Sequence, residues 1–219
     1  MNRHSTLLTI ASVTALLIFT GADDANSQSQ APTAAPIASA STANENWSVD
    51  DTHSMCLFRV HHSGAGMFWG RFDKVSGTIT TTGAGPDSIS FDIAVQTESV
   101  SSGNPKLDKH LMSPDFFSVK EFPTMTFKST SAKRESSGMW SVNGDLTIHG
   151  VTKPIIATIE LTGRAGKERE KIGFEAMFVV DRSQFGMNYG VEQGALGKDI
   201  RVIVGLEAAK GSGKQDAGK

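Results

Sequence analysis

Residues 88–96, Ser88-Ile89-Ser90-Phe91-Asp92-Ile93-Ala94-Val95-Gln96, decide the fold class. Ile89, Phe91, Ile93 and Val95 fall on one side of an extended chain, and Ser88, Ser90, Asp92 and Gln96 on the other. A period of two marks a half-buried strand, because successive side chains leave a strand on opposite faces. The alternation recurs downstream. Trp140, Val142, Leu146 and Ile148 share a face, opposed by Asn143, Asp145, Thr147 and His149. Ile155, Ala157, Ile159 and Leu161 repeat it. So do Ile172, Phe174, Ala176, Phe178 and Val180, and then Ile200, Val202, Val204 and Leu206. With residues 57–62, 68–81 and 124–133 the total is about eight strands, most of them separated by Gly-rich or polar turns.

One segment has a different period. Residues 105–114 (PKLDKHLMSP) carry Leu107, Leu111 and Met112 at helical spacing. Asn104 can cap this helix, and Pro105 suits its first position. A second irregular stretch, 183–197, holds Gly186, Gly190, Gly194 and Gly197 and reads as a long connection before the last strand. About eight alternating strands with one short helix suit an all-β antiparallel barrel or sandwich. An outer-membrane barrel would need two aromatic girdles. The chain has 3 Trp and 1 Tyr against 12 Phe, too few of the polar aromatics for that. The soluble barrel is the better reading, and its interior can be a packed core or hold one small ligand.

The ends of the chain read differently. Arg3 and His4 precede an apolar run over 7–19, followed by Thr20-Gly21-Ala22. That is the order of a secretory signal, with cleavage expected near 22–25. The run is shorter than the roughly 20 residues of a membrane-spanning helix, so the processed chain is expected not to be transmembrane. Residues 23–46 are rich in Ala, Ser, Thr, Gln and Pro and read as a disordered linker. The folded domain is expected over 47–210, with a loose tail over 211–219. The GSGK fragment in that tail lacks the flanking strand, helix and upstream glycine of a phosphate loop. A net charge of −2 argues against nucleic-acid binding. The 1 Cys excludes an intrachain disulfide.

Four blocks carry a family resemblance. Asp51-Thr52-His53-Ser54 leads into Phe58-Arg59-Val60-His61-His62 and then Gly70-Arg71-Phe72. Leu107-Asp108-Lys109-His110-Leu111-Met112-Ser113-Pro114-Asp115-Phe116-Phe117 forms the second. Phe122-Pro123 followed by Phe127 forms the third. Gly144-Asp145-Leu146-Thr147-Ile148-His149-Gly150-Val151-Thr152-Lys153-Pro154 forms the fourth. In this order and spacing the chain resembles the YceI-like, polyisoprenoid-binding family. The resemblance implies a lipocalin-like, eight-stranded antiparallel barrel with a helix at its mouth. It implies an apolar tunnel for an isoprenoid, isoprenoid quinone or other lipid-like chain. It also implies a periplasmic location, in agreement with the export signal.

A long lipid needs a dry, apolar wall. Each methylene taken from water contributes about 0.8 kcal/mol, and a wall of Phe, Ile, Val and Met leaves no polar group unpaired. The expected tunnel residues are Phe58, Val60, Phe72, Ile89, Phe91, Ile93, Phe127, Leu146, Ile148, Phe174 and Phe178. His62 shares a face with Phe58 and Val60 and could donate to a lipid head or be a satisfied core histidine. Leu107 and Leu111, one turn apart, and the pair Phe116-Phe117 are expected to cap one end. Arg71, Lys109 and His110 could meet a head group at the mouth. Asp108, Lys109 and His110 could equally be a solvated helix face, and Asp181-Arg182 an ordinary surface ion pair.

Chemistry of other kinds has little support. His53, His61, His62, His110 and His149 show no recognised metal-ligand spacing, and His61 and His62 point to opposite faces of one strand. Cys56 lies near His53, but a nucleophile needs a base and an orienting group placed in space. There is no G-x-S-x-G motif and no dinucleotide fingerprint. No metal or cofactor is expected, and the chain reads as a binding protein. The alternatives are a lipid-modifying enzyme using His62 or Cys56, and an envelope interaction protein with a packed barrel. The free edge of an imperfectly closed barrel could also pair two copies as a homodimer.

Overall fold

The computed structural model describes residues 44–82, 88–166 and 170–211. The signal segment expected over 1–22, nearly all of the 23–46 linker, and the tail beyond 211 lie outside them. The described residues form eleven strands and one short α-helix. The strands are β1 (Asn44–Val49), β2 (Met55–His62), β3 (Gly66–Phe72), β4 (Val75–Thr82), β5 (Ile89–Gln96) and β6 (Val100–Ser101), then β7 (Thr124–Arg134), β8 (Trp140–Ile148), β9 (Val151–Ala165), β10 (Lys171–Asp181) and β11 (Asp199–Lys210). The helix α1 spans Pro105–Leu111.

Eleven strands make eight staves because three pairs lie end to end. β1 and β2 both run along one edge of β11, with Trp47 opposite Lys210 and Arg59 opposite Arg201. β3 and β4 lie end to end beside them, with Phe58 opposite Gly70 and Trp47 opposite Ile79. β6 continues β5 and pairs with the end of β3. Every pairing is antiparallel and follows chain order, so the sheet is a closed eight-stranded antiparallel barrel. The sequence reading of 68–81 as one strand is corrected to β3 and β4, interrupted at Asp73-Lys74. The linker expected up to Asn46 ends earlier. Asn44, Glu45 and Asn46 already pair with Thr82, Thr81 and Thr80, because a backbone ladder needs no apolar side chains.

β1 was missed as a strand because a single large apolar residue carries it. Trp47 is only 1% exposed and plugs one end of the barrel. Its indole Nε1 donates to Thr81 Oγ1 at 3.1 Å. The guanidinium of Arg164 and the ammonium of Lys210 lie 5.0 and 5.7 Å from its ring centroid. Glu45, two residues before Trp47 on the same strand, binds both cations, at 2.7 Å to Arg164 and 2.9 Å to Lys210. Behind Trp47, Phe174 packs edge-on against Phe91 at 5.4 Å and against Trp140 at 6.4 Å. Ile79, Val75, Val142 and Ala208 are fully buried beside them. This end of the barrel is solid.

Gly77 sits where two staves approach closely. At its φ of +137° a side chain is strained, and a Cβ there would stand 2.1 Å from the Asp92 carbonyl. Among the described residues no helix is long and apolar enough to cross a membrane.

Two outcomes follow for stability. Trp47→Ala removes the plug and is expected to cost about 3–5 kcal/mol, read by urea unfolding; a loss below about 1 kcal/mol would show that β1 does not close the barrel. The second concerns acid. Hydrogen bonds from Lys210, His53 and Ser183 hold the carboxyls of Glu45, Asp50 and Asp181 below their ordinary values of 4.5, 3.8 and 3.8. Protons bind these groups more readily in the unfolded chain. Their stabilisation is therefore complete above the ordinary values and is lost as pH falls through the lower folded ones. The urea midpoint should be flat with respect to these groups above about pH 5 and fall below it.

Candidate functional site

The other end of the barrel is hollow. A cavity of about 460 Å³ runs from the mouth down to Phe91, Ile159 and Leu206, which form its floor above the packed end. That volume lies in the range of small-molecule sites, roughly 300–1,000 Å³. The hollow arises where inward positions carry small side chains. Ala157, opposite Val142, and Ala176, two residues along β10 from Phe174, face the cavity from neighbouring staves just beyond the rings of Trp140 and Phe174.

Strand alternation supplies most of the wall. β2 contributes Cys56, Phe58 and Val60, and β5 contributes Phe91, Ile93 and Val95. β8 adds Leu146 and Ile148, β10 adds Phe178 and Val180, and β11 adds Ile200, Val202 and Val204. Two glycines make space for two of the rings. A Cβ on Gly70 would lie 2.3 Å from the Phe58 ring, and one on Gly144 would lie 2.5 Å from the ring of Phe127. Each ring therefore lies across its glycine, and the position cannot take a side chain without displacing the wall.

The helix side of the mouth is built by local rules. The Asn104 side chain accepts from Lys106 N at 3.0 Å and Leu107 N at 3.3 Å, and Pro105 opens the helix. Asp108 anchors the first turn by accepting from the Ser102 amide and hydroxyl, both at 2.6 Å. Leu107 and Leu111 then turn to the cavity. Phe117 follows and packs edge-on against Phe72 at 5.0 Å and Phe58 at 6.2 Å.

The opposite side of the mouth is the connection between β10 and β11, and Arg182 organises it. Its side chain is 4% exposed, so the alternative reading of Asp181-Arg182 as an ordinary surface ion pair does not hold for this guanidinium. Nε donates to Gly197 O at 2.9 Å, Nη1 to Met187 O at 2.8 Å and Nη2 to Tyr189 O at 2.8 Å. Burial lowers the guanidinium pKa, and the nearby Asp181 charge opposes this. Asp181 itself accepts from Ser183 and from Lys198 Nζ, at 3.2 Å for the latter. The loop so held brings Tyr189 to the helix. Its ring lies 5.0 Å from that of His110 and 5.1 Å from that of Phe116, and His110 lies 5.0 Å from Phe116. His110 Nε2 is 2.9 Å from Asp115 Oδ2.

Most of the sequence-predicted wall comes together. Phe58, Val60, His62, Phe72, Phe91, Ile93, Phe127, Leu146, Ile148 and Phe178 line the cavity. At the mouth Leu107, His110, Leu111, Phe116 and Phe117 do so. Four positions are corrected. Ile89 and Phe174 face inward but belong to the solid end, because alternation sets a residue's face and not its height in the barrel. Arg71 points outward and pairs with Asp73 at 2.7 Å. Lys109 lies on the exposed face of α1. His62 lines the rim and is exposed, at the point where β2 bridges to Leu196.

The loop residues Arg182, Met187, Tyr189 and Leu196 were not foreseen, since an irregular segment has no period to read. Val95, Ile159, Val202, Val204 and Leu206 lie on alternating apolar faces read from the sequence, and Cys56 continues the face of Phe58 and Val60 just before the strand read over 57–62. A cluster of Asp50, His53 and Glu207 lies elsewhere, with His53 Nδ1 2.9 Å from Asp50 and 3.9 Å from Glu207. The Lys171 ammonium sits on that Glu207 oxygen, so a metal ion there would meet a like charge.

Comparison with known proteins agrees with this architecture. Residues 47–208 match the YceI-like domain. The chain is 31% identical over 160 residues to protein YceI of Salmonella arizonae, covering 72% of this chain and 82% of that protein. The crystal structure of the Campylobacter jejuni YceI protein superposes with a TM-score of 0.63 at 30% identity, over 69% of this chain and 90% of that one. A polyisoprenoid binding domain from Saccharophagus degradans, implicated in plant cell wall breakdown, has a TM-score of 0.59 at 16% identity, over 75% and 98% of the two chains. At that identity the likeness is one of fold.

The wall dictates the chemistry of Cys56. Burial pushes its thiol up to about 12, and the side chain is buried among apolar neighbours. The native protein should resist a thiol-reactive dye at pH 8 for hours and react within minutes in denaturant. Fast native labelling would mean that Cys56 is open to solvent.

Proposed function

Because the chain belongs to the YceI-like family, we propose that it binds a long lipophilic molecule, a polyisoprenoid, isoprenoid quinone or similar lipid, in the barrel cavity. The observation that carries this reading is the cavity itself, closed below by Trp47, Phe174 and Trp140 and walled by aliphatic and aromatic side chains. The likeness in fold to a polyisoprenoid binding domain supports the same ligand class.

The energetics favour a chain-like ligand. One five-carbon isoprene unit moved from water gains about 4 kcal/mol at roughly 0.8 kcal/mol per carbon. Association costs on the order of 4–15 kcal/mol. About four buried units therefore outweigh it without any strong polar contact. Polar side chains at the mouth, His62, His110 and Tyr189, place the polar end of such a molecule outward. The ligand's tail then lies over Phe91 and Ile159.

The role is carriage or storage, and the signal expected over 1–22 supports a periplasmic setting. An enzymatic role for Cys56 and His62 is the weaker reading. They stand six residues apart on one strand, about 20 Å at roughly 3.3 Å per residue, and the thiol holds its proton. An interaction module with a solid barrel fits less well, because this barrel encloses a cavity of about 460 Å³.

Native mass spectrometry after incubation with a polyprenyl lipid tests the reading. Wild type should carry one lipid per chain. Ala176→Trp fills the hollow from its wall and should lower loading at least tenfold, while circular dichroism shows the same strand signal. Equal loading of the two proteins would place the lipid elsewhere, and no loading of wild type across polyprenyl lipids and quinones would overturn the reading.

A further inference from the structure

The outer wall of the barrel beside the mouth does not look like an ordinary solvent face. Outward residues of β3, β2, β11 and β10 stand in one cross-strand row. Trp69 is opposite Arg59, Arg59 is opposite Arg201, and Arg201 is opposite Val179. Met67 flanks the row on β3 and Met177 on β10. Three of the apolar members are far from buried, with Val179 62% exposed, Met67 51% and Trp69 45%. Large apolar side chains gathered on one face mark an interaction surface more often than those scattered singly.

The two arginines indicate what covers it. Like charges directly opposite each other on a sheet destabilise it. Here they are neighbours, and among the described residues neither has a carboxylate within ion-pair distance. Arg59 instead lies 5.5 Å from the centroid of the Trp69 ring, and Arg201 Nη2 is 3.9 Å from Met177 Sδ. Asp199, at the rim end of the same face, makes no ion pair with either. Two uncompensated guanidinium groups among Trp, Met and Val match a surface that is apolar beneath and anionic on top. A protein partner could offer this in one place. An anionic bilayer offers it everywhere, with Trp at the headgroup level and Arg on the phosphates.

The position adds to this. Arg59 lies three residues from His62 at the cavity rim, about 10 Å along the strand. A chain-like lipid cannot cross water at useful rates, so a protein that collects it gains if its opening meets the membrane. We propose that the outer face of β2, β3, β10 and β11 docks on an anionic phospholipid bilayer and brings the cavity mouth against the lipid. The purpose given to this docking rests on the ligand reading above; the docking itself does not.

Sedimentation with vesicles tests it, using phosphatidylcholine alone and with about one third phosphatidylglycerol. Wild type should bind the anionic vesicles, release in high salt, and show a shift in Trp emission that Trp69→Ala reduces. Arg59→Gln with Arg201→Gln should weaken binding about tenfold or more, since each cation near an anionic surface contributes roughly fivefold. Lys128→Gln with Lys133→Gln removes the same charge from a distant stave and should bind as wild type does. The apolar run at 7–19 is common to all variants, so it cancels in the comparison. Lipid loading from detergent, measured by mass spectrometry, should be equal in wild type and the arginine variant. That separates a failed docking face from a failed ligand reading. No binding of wild type to anionic vesicles, or equal binding of both double variants, would overturn the proposal. So would a lipid-independent dimer that the arginine variant abolishes, which would assign the face to a second copy.

Discussion

Closure of the sheet is the constraint on which the rest of this molecule depends. A strand whose alternate side chains are apolar must cover one face, and an open sheet would need a second layer to do so. Here the sheet covers itself. β1 pairs with β4 on one side and with β11 on the other, which removes the free edges at that end. Every inward residue is then committed to a single interior whose width is set by the number of strands. What remains free is how far side chains fill that width at each level.

The filling is uneven, and the unevenness is the functional property. Two Trp and two Phe occupy the closed end, where Phe174 packs against Phe91 and Trp140 and the buried Trp47 stands in the row of Ile79 and Phe91. Above them Ala157 and Ala176 leave room that no neighbour takes up. A cavity in a well-packed protein forgoes dispersion contacts along its whole lining. A lipid chain restores them, so the site and the instability it would otherwise bring have the same remedy.

Polar chemistry is kept to the rim. The buried guanidinium of Arg182 satisfies three loop carbonyls and so holds an irregular segment in one shape without a sheet or helix to support it. That shape delivers Tyr189 onto His110 and Phe116, joining the loop to the capping helix. The mouth is thus framed by two elements that are each fixed locally, α1 by Asn104 and the loop by Arg182.

Read alone, the sequence determined most of the strands, which residues of each share a face, and the short helix, but it left barrel or sandwich open, missed β1 and joined β3 to β4. The period-two pattern is a local property of each strand, and chain order constrains an antiparallel meander strongly. Phe58, Ile93 and Leu146 were legible as wall residues for that reason. The tertiary structure alone decided the level of each residue in the barrel. Ile89 and Phe174 share the inward faces of Ile93 and Phe178, yet they belong to the plug, because stagger between staves is set by register and not by alternation. It alone decided the fate of Arg182 as well, buried under a loop, whereas Arg71 follows from alternation, because it precedes the inward Phe72 on β3 and so turns out to Asp73. A charged residue at a strand end has no period to reveal its side, and only the path of the surrounding backbone settles whether it meets water or a ring of carbonyls.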